Sequence, residues 1–154
     1  MKFHGELTVK APLAAVYEKV RDARFFASCV DGVRDLAEIG PDRYSAVFET
    51  KVAYMKFSFK VTLEVTRSNP PNEIEAKVEG TPLGIVGRMT ATSLTKLSEV
   101  GDETKIEYEV DAALTGKLGS LGQPVLRSKA KEMERIFTER IRAAFVGAGT
   151  GPAS

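Results

Sequence analysis

Residues 118–145, LGSLGQPVLRSKAKEMERIFTERIRAAF, hold the one long helix signal in the chain. Leu118, Leu121, Val125, Met133, Ile136, Phe137, Ile141, Ala144 and Phe145 recur mostly at three- or four-residue steps, which places them on one face of a helix. Arg127, Lys129, Lys131, Glu132, Glu134, Arg135, Glu139, Arg140 and Arg142 form the opposite, charged face. At about 1.5 Å per residue such a helix is roughly 40 Å long and cannot bury its stripe alone. A broad receiving surface is required. Two starts are open: a capping box of Ser120 and Gln123, or Gln123-Pro124 with proline in the first turn. Gly116, Gly119 and Gly122 loosen the approach and read as either a hinge or an irregular entry.

The receiver is the remainder of the chain, which reads as strands. Phe57 to Arg67 alternates, with Phe57, Phe59, Val61, Leu63 and Val65 on one face. Glu73 to Thr81 sets Ile74, Ala76, Val78 and Gly80 against an acidic face, and Thr104 to Leu114 repeats the pattern with Ile106, Tyr108, Val110, Ala112 and Leu114 inward. Phe3–Val9, Val33–Ile39, Arg43–Tyr54 and Ile85–Leu97 complete seven strands. Turns fall at Gly40-Pro41-Asp42 and Asn69-Pro70-Pro71-Asn72. Two short helices follow the first strand, one from Ala11-Pro12 to about Asp22 and one over Ala23–Cys29.

Clean alternation implies an antiparallel sheet with one wet face, and the long helix covers the dry one. The expected fold is α+β: a curved seven-stranded antiparallel sheet gripping a C-terminal helix. Its single domain spans 1–146, with a flexible tail at 147–154. Small or mildly polar inward residues (Ala46, Thr50, Ala76, Gly80, Ala91, Ser93, Thr95) leave space between the layers and predict an apolar cavity. Its expected lining is Phe25, Phe26, Phe48, Thr50, Tyr54, Phe57, Phe59, Val61, Ala76 and Val78 from the first half of the chain. Met89, Ala91, Ser93, Tyr108, Val110, Leu121, Val125, Met133 and Phe137 supply the rest.

Composition sets the outer bounds. The 154 residues are 43% hydrophobic and 28% charged with a net charge of +1, which gives no general pull towards nucleic acid. No N-terminal apolar region or spanning segment is evident, and one cysteine, Cys29, fits a cytoplasmic chain. From Lys117 to Arg142 seven basic residues face three acidic ones, so the last helix is locally positive; a solvated face and a docking face both fit. A single histidine, His4, and a single cysteine give no metal-ligand spacing, and neither has a catalytic neighbour in sequence. The acidic residues Glu73, Glu75, Glu79, Glu107, Glu109 and Asp111 alternate outward and read as solvated faces.

An ordered set of motifs resembles one family. It comprises Phe3-His-Gly-Glu with Val9-Lys-Ala-Pro12, Ala27-Ser-Cys29-Val-Asp-Gly32, Lys60-Val-Thr-Leu63, Gly80 with Gly84-Ile-Val-Gly87, and Tyr108-Glu-Val-Asp111 leading into Gly116-Lys-Leu-Gly-Ser-Leu-Gly122. Together they resemble the carbon monoxide dehydrogenase G-subunit family of the START-like (SRPBCC) helix-grip superfamily. Val30 stands where that family has proline. The resemblance implies a binding protein for a hydrophobic small molecule, a lipid or a quinone, with no required cofactor. It also implies a molybdenum hydroxylase as partner and a peripheral membrane contact, in recruiting that enzyme or delivering its electron acceptor. Two rivals accompany it: a cyclase- or dehydratase-type enzyme, marked by a polar dyad in the pocket, and an interaction module with no open cavity.

Overall fold

The computed structural model describes residues 1–150, with side-chain packing for residues 1–145. The alternating segments form seven strands: β1 (Lys2–Val9), β2 (Val33–Gly40), β3 (Arg43–Val52), β4 (Met55–Asn69), β5 (Glu73–Pro82), β6 (Gly87–Val100) and β7 (Glu103–Gly116). They make one antiparallel sheet in the order β1-β7-β6-β5-β4-β3-β2. Helices α1 (Leu13–Arg21) and α2 (Ala23–Cys29) follow β1, and α3 (Gln123–Thr150) closes the chain. The expected tail from residue 147 thus begins inside α3, and residues 151–154 lie outside the described residues.

The long strands β4, β6 and β7 cannot stay flat, because strand twist accumulates across a sheet. Register shifts between Val65 and Arg67 in β4, and between Arg34 and Ala37 in β2, add local bend. The sheet therefore curves around α3. The helix starts at Gln123 with Pro124 in its first turn, where a missing N–H costs no hydrogen bond. Gly122, at φ 90°, breaks the chain from the preceding 3₁₀ turn (Gly119–Leu121), and its carbonyl accepts from the Leu126 N–H. Ser120 does not cap α3; its hydroxyl donates to the Lys117 carbonyl. At the other end Asp22 caps α2 by accepting from the Arg24 N–H at 2.9 Å.

Two strand boundaries differ from the alternation pattern. β3 ends at Val52, not Tyr54, because Ala53 and Tyr54 form a two-residue turn with φ of 50° and 71°. β6 begins at Gly87, which leaves Leu83–Val86 as a loop.

The sheet–helix layer divides into two halves. In the first, Leu7, Val9, Val16, Tyr17, Ile74, Leu97 and Phe145 pack as a solid core under α1, and Val20, Ile106 and Ile141 of the same cluster border the second half. Phe25 belongs here, edge-on to Phe145 with ring centroids 6.2 Å apart. The buried Thr104 hydroxyl donates to the Ala11 carbonyl at 2.8 Å and ties β7 to the start of α1. In the second half Phe48, Val52, Phe57, Phe59 and Leu118 are buried, but they do not fill the space between sheet and helix.

Candidate functional site

That unfilled space is a cavity of about 590 Å³ between the sheet and α3, within the range of small-molecule sites. Phe48, Thr50, Phe57 and Phe59 from β3 and β4 form one wall. The Phe48 and Phe59 rings, 5.7 Å apart, stack on paired strand positions. The floor is β6 and β7: Met89, Ala91, Ser93 and Thr95 beside Tyr108, Val110, Ala112 and Leu114. Space exists there because Ala91 lies directly opposite Ala112, so two methyl groups occupy a place that two larger side chains would fill. The roof is Leu121, Leu126, Met133 and Phe137, with Phe26 of α2 packed 5.4 Å from Phe137.

Thirteen expected lining residues meet at this cavity: Phe26, Phe48, Thr50, Phe57, Phe59, Met89, Ala91, Ser93, Tyr108, Val110, Leu121, Met133 and Phe137. Six do not. Tyr54 sits on the β3–β4 turn and is fully exposed, since the turn removes it from strand alternation. Phe25 points into the solid half, and Lys19 lies over its ring. Val61 and Val125 pack against the buried residues of the hollow half without lining it, and Val78 and Ala76 are likewise outside the lining.

One stretch of the lining has no signal in the strand pattern. It lies between the edge strand β1 and α3, where Met1 to Phe3 stand opposite Arg127, Ala130, Lys131 and Glu134. The Arg127 guanidinium stands 5.4 Å from the Phe3 ring centroid. Beside it the Tyr108 hydroxyl donates to a Glu134 carboxylate oxygen. Gly5 makes this pair fit: a Cβ there would collide with the Tyr108 hydroxyl and the Glu134 carboxylate. Burial, and then the hydrogen bond and charge of Glu134, push the Tyr108 phenol above its ordinary value and hold it neutral. This polar pair is set at the rim of an otherwise apolar chamber.

Other candidates have a structural account. Cys29 is buried and its thiol is pushed up by that burial, the reverse of an activated nucleophile. His4 is exposed on β1, in register with Glu109. The basic face of α3 is partly neutralised, with Lys129 on Glu132, Arg135 on Glu139 and Arg140 on Asp31. Among the described residues no helix is long and apolar enough to cross a membrane.

Comparison with known proteins adds to this geometry. A family model described as the carbon monoxide dehydrogenase G-subunit (CoxG) matches residues 5–145. Among curated proteins none matches in sequence. A conserved protein from Geobacillus kaustophilus superposes with a TM-score of 0.87 at 26% identity, covering 96% of this chain and 97% of its own. A START superfamily protein from Mycobacterium smegmatis gives 0.70 at 10% identity, covering 96% and 98%; at that identity the likeness is one of fold. The fold is START-like.

Proposed function

Because the chain belongs to the CoxG family of carbon monoxide dehydrogenase, we propose that it is an accessory protein holding one quinone- or lipid-like molecule for a molybdenum hydroxylase of the carbon monoxide dehydrogenase type. The observation that carries this reading is the cavity of about 590 Å³ walled by Phe48, Phe57, Phe59, Met89, Met133 and Phe137. Apolar walls with few polar groups suit a hydrophobic ring and chain, and a few convergent polar groups orient it. The Tyr108–Glu134 pair supplies those groups at one end. In this reading the protein carries the electron acceptor between membrane and hydroxylase, and works at the cytoplasmic face.

Decylubiquinone is a direct probe. A ligand at a hundredfold its Kd stabilises the folded state by about 2.7 kcal/mol, which a thermal melt resolves. The expected result is a raised Tm with decylubiquinone, and a quinone- or lipid-sized adduct in native mass spectra of protein purified from its source. No adduct and no shift would overturn the reading.

The Tyr108–Glu134 pair also favours a second reading, an enzyme of the cyclase or dehydratase kind. Glu134 would take a proton from carbon next to a bound carbonyl while Tyr108 orients the carboxylate. This reading expects uptake of solvent deuterium into an enolisable aromatic polyketide, lost in Tyr108→Phe and Glu134→Gln. A carrier leaves the ketone unlabelled, and both variants bind decylubiquinone more weakly than the parent because they lose the polar pair that orients it.

A further inference from the structure

Four of the large apolar side chains that the fold leaves in water lie at one end of the sheet. Tyr54 and Met55 occupy the β3–β4 turn, and Leu83 and Val86 the β5–β6 loop; Tyr54 is 103% and Val86 81% exposed. Hydrogen bonds place these segments together. The Leu83 N–H donates to the Ser58 carbonyl of β4, and the Lys117 N–H, just past β7, donates to the Val86 carbonyl. Exposed side chains gathered in this way mark an interaction surface.

The charge around them is one-sided. Residues 50–58, 81–88 and 114–124, which build this end, contain Lys51, Lys56, Arg88 and Lys117 and no aspartate or glutamate. Lys56 and Arg88 reach back to Glu49 and Glu79 farther along the sheet, while Lys51 and Lys117 are exposed. Apolar prongs within a basic rim match the layered chemistry of an anionic bilayer: acyl chains below, phosphate above. The cavity reaches the same end, since Val52, Phe57, Leu114 and Leu121 line it just inside these segments.

We infer that this end of the sheet docks on anionic bilayers through Tyr54, Met55, Leu83 and Val86, with Lys51 and Lys117 on lipid phosphates. Docking there points the Leu121 end of the cavity at the acyl chains, so a hydrophobic molecule crosses between bilayer and cavity without entering water. The inference rests on the carrier reading and names the surface that loads it.

Flotation with vesicles tests it. The protein should float with phosphatidylcholine vesicles containing phosphatidylglycerol, weakly with phosphatidylcholine alone, and less at raised salt. Each lysine near an anionic surface strengthens binding about fivefold, so Lys51→Glu with Lys117→Glu should weaken flotation at least about twentyfold. Tyr54→Ser with Val86→Ser should weaken it roughly tenfold per side chain. Folding is expected to survive, because the Tyr54 side chain is wholly in water and that of Val86 nearly so; an unchanged melt checks it.

A parent protein that ignores anionic vesicles, or tip variants that float unchanged, would overturn the inference. So would tip variants that lose self-association or hydroxylase capture while still floating. Decylubiquinone binding measured without vesicles reads the cavity alone. Its persistence beside failed flotation sinks docking but spares the carrier, and its absence sinks the carrier reading.

Discussion

Leu97→Ala should lower the unfolding free energy by about 2–5 kcal/mol, the cost of removing a buried aliphatic side chain and leaving a void. Leu97 is 3% exposed, lies in the solid half in one cluster with Leu7, Val9, Ile74 and Ile106, and does not line the cavity. Interiors are packed at crystal-like density, so its neighbours cannot collapse fully into the gap. For a chain of this size each kcal/mol moves Tm by roughly 2–4 °C. Denaturant melts give the value directly, as a lower midpoint at unchanged slope. A loss under about 1 kcal/mol would show that the layer is loose even here, and that the division into solid and hollow halves is wrong.

Ala91→Phe should do the reverse at the other end of the same layer. Ala91 lies on the cavity floor opposite Ala112, so the added ring enters empty volume. Stability should change by less than about 1 kcal/mol, where overpacking a filled core costs about 1–3 kcal/mol. Val16→Phe is the matching control, because Val16 has 0% exposure within the solid half and should incur the full penalty. Affinity for decylubiquinone should fall at least about tenfold, since the ring occupies the ligand's place. If Ala91→Phe destabilises as much as Val16→Phe and leaves affinity unchanged, the chamber is not where the ligand sits.

The sheet was legible because a half-buried antiparallel strand writes its two faces as alternate residues. That parity sets Met89, Ala91, Ser93, Tyr108 and Val110 on one face, and the cavity lies on that face. It could not measure depth along a face. Val61 and Val78 point inward with their neighbours yet do not line the chamber, because the path of α3 decides where the gap opens. Tyr54 failed for another reason. The Ala53-Tyr54 turn takes positive φ at both residues without the glycine or asparagine that advertises such a turn, so the strand pattern runs on through it. Phe25 and Phe26 are neighbours on a helix and point about 100° apart. One had to leave the cavity, and only the placement of α2 selects Phe26. The rim of Phe3, Arg127 and Glu134 was hidden because it joins the two ends of the sequence across a helix–strand gap.

The neighbour relation of β1 has a consequence for how the molecule comes into being. Among the described residues β1 pairs only with β7, with Lys2 opposite Asp111 and the Met1 amine donating to the Ala112 carbonyl at 2.7 Å. During synthesis the first strand and its two helices therefore emerge with no sheet to join. The β2–β6 meander, made of sequential hairpins, can assemble as it leaves the ribosome, while the solid half waits for Ile106 and then Ile141. Such distant pairing places the late steps of folding in the slow, millisecond-to-second range of β-rich proteins. The hollow half is walled by β3, β4, β6 and β7, so a nascent chain exposes those apolar walls before α3 exists to roof them. A chaperone that shields aromatic strands would find its substrate in that interval, and a molecule able to fill the gap could enter before the roof closes.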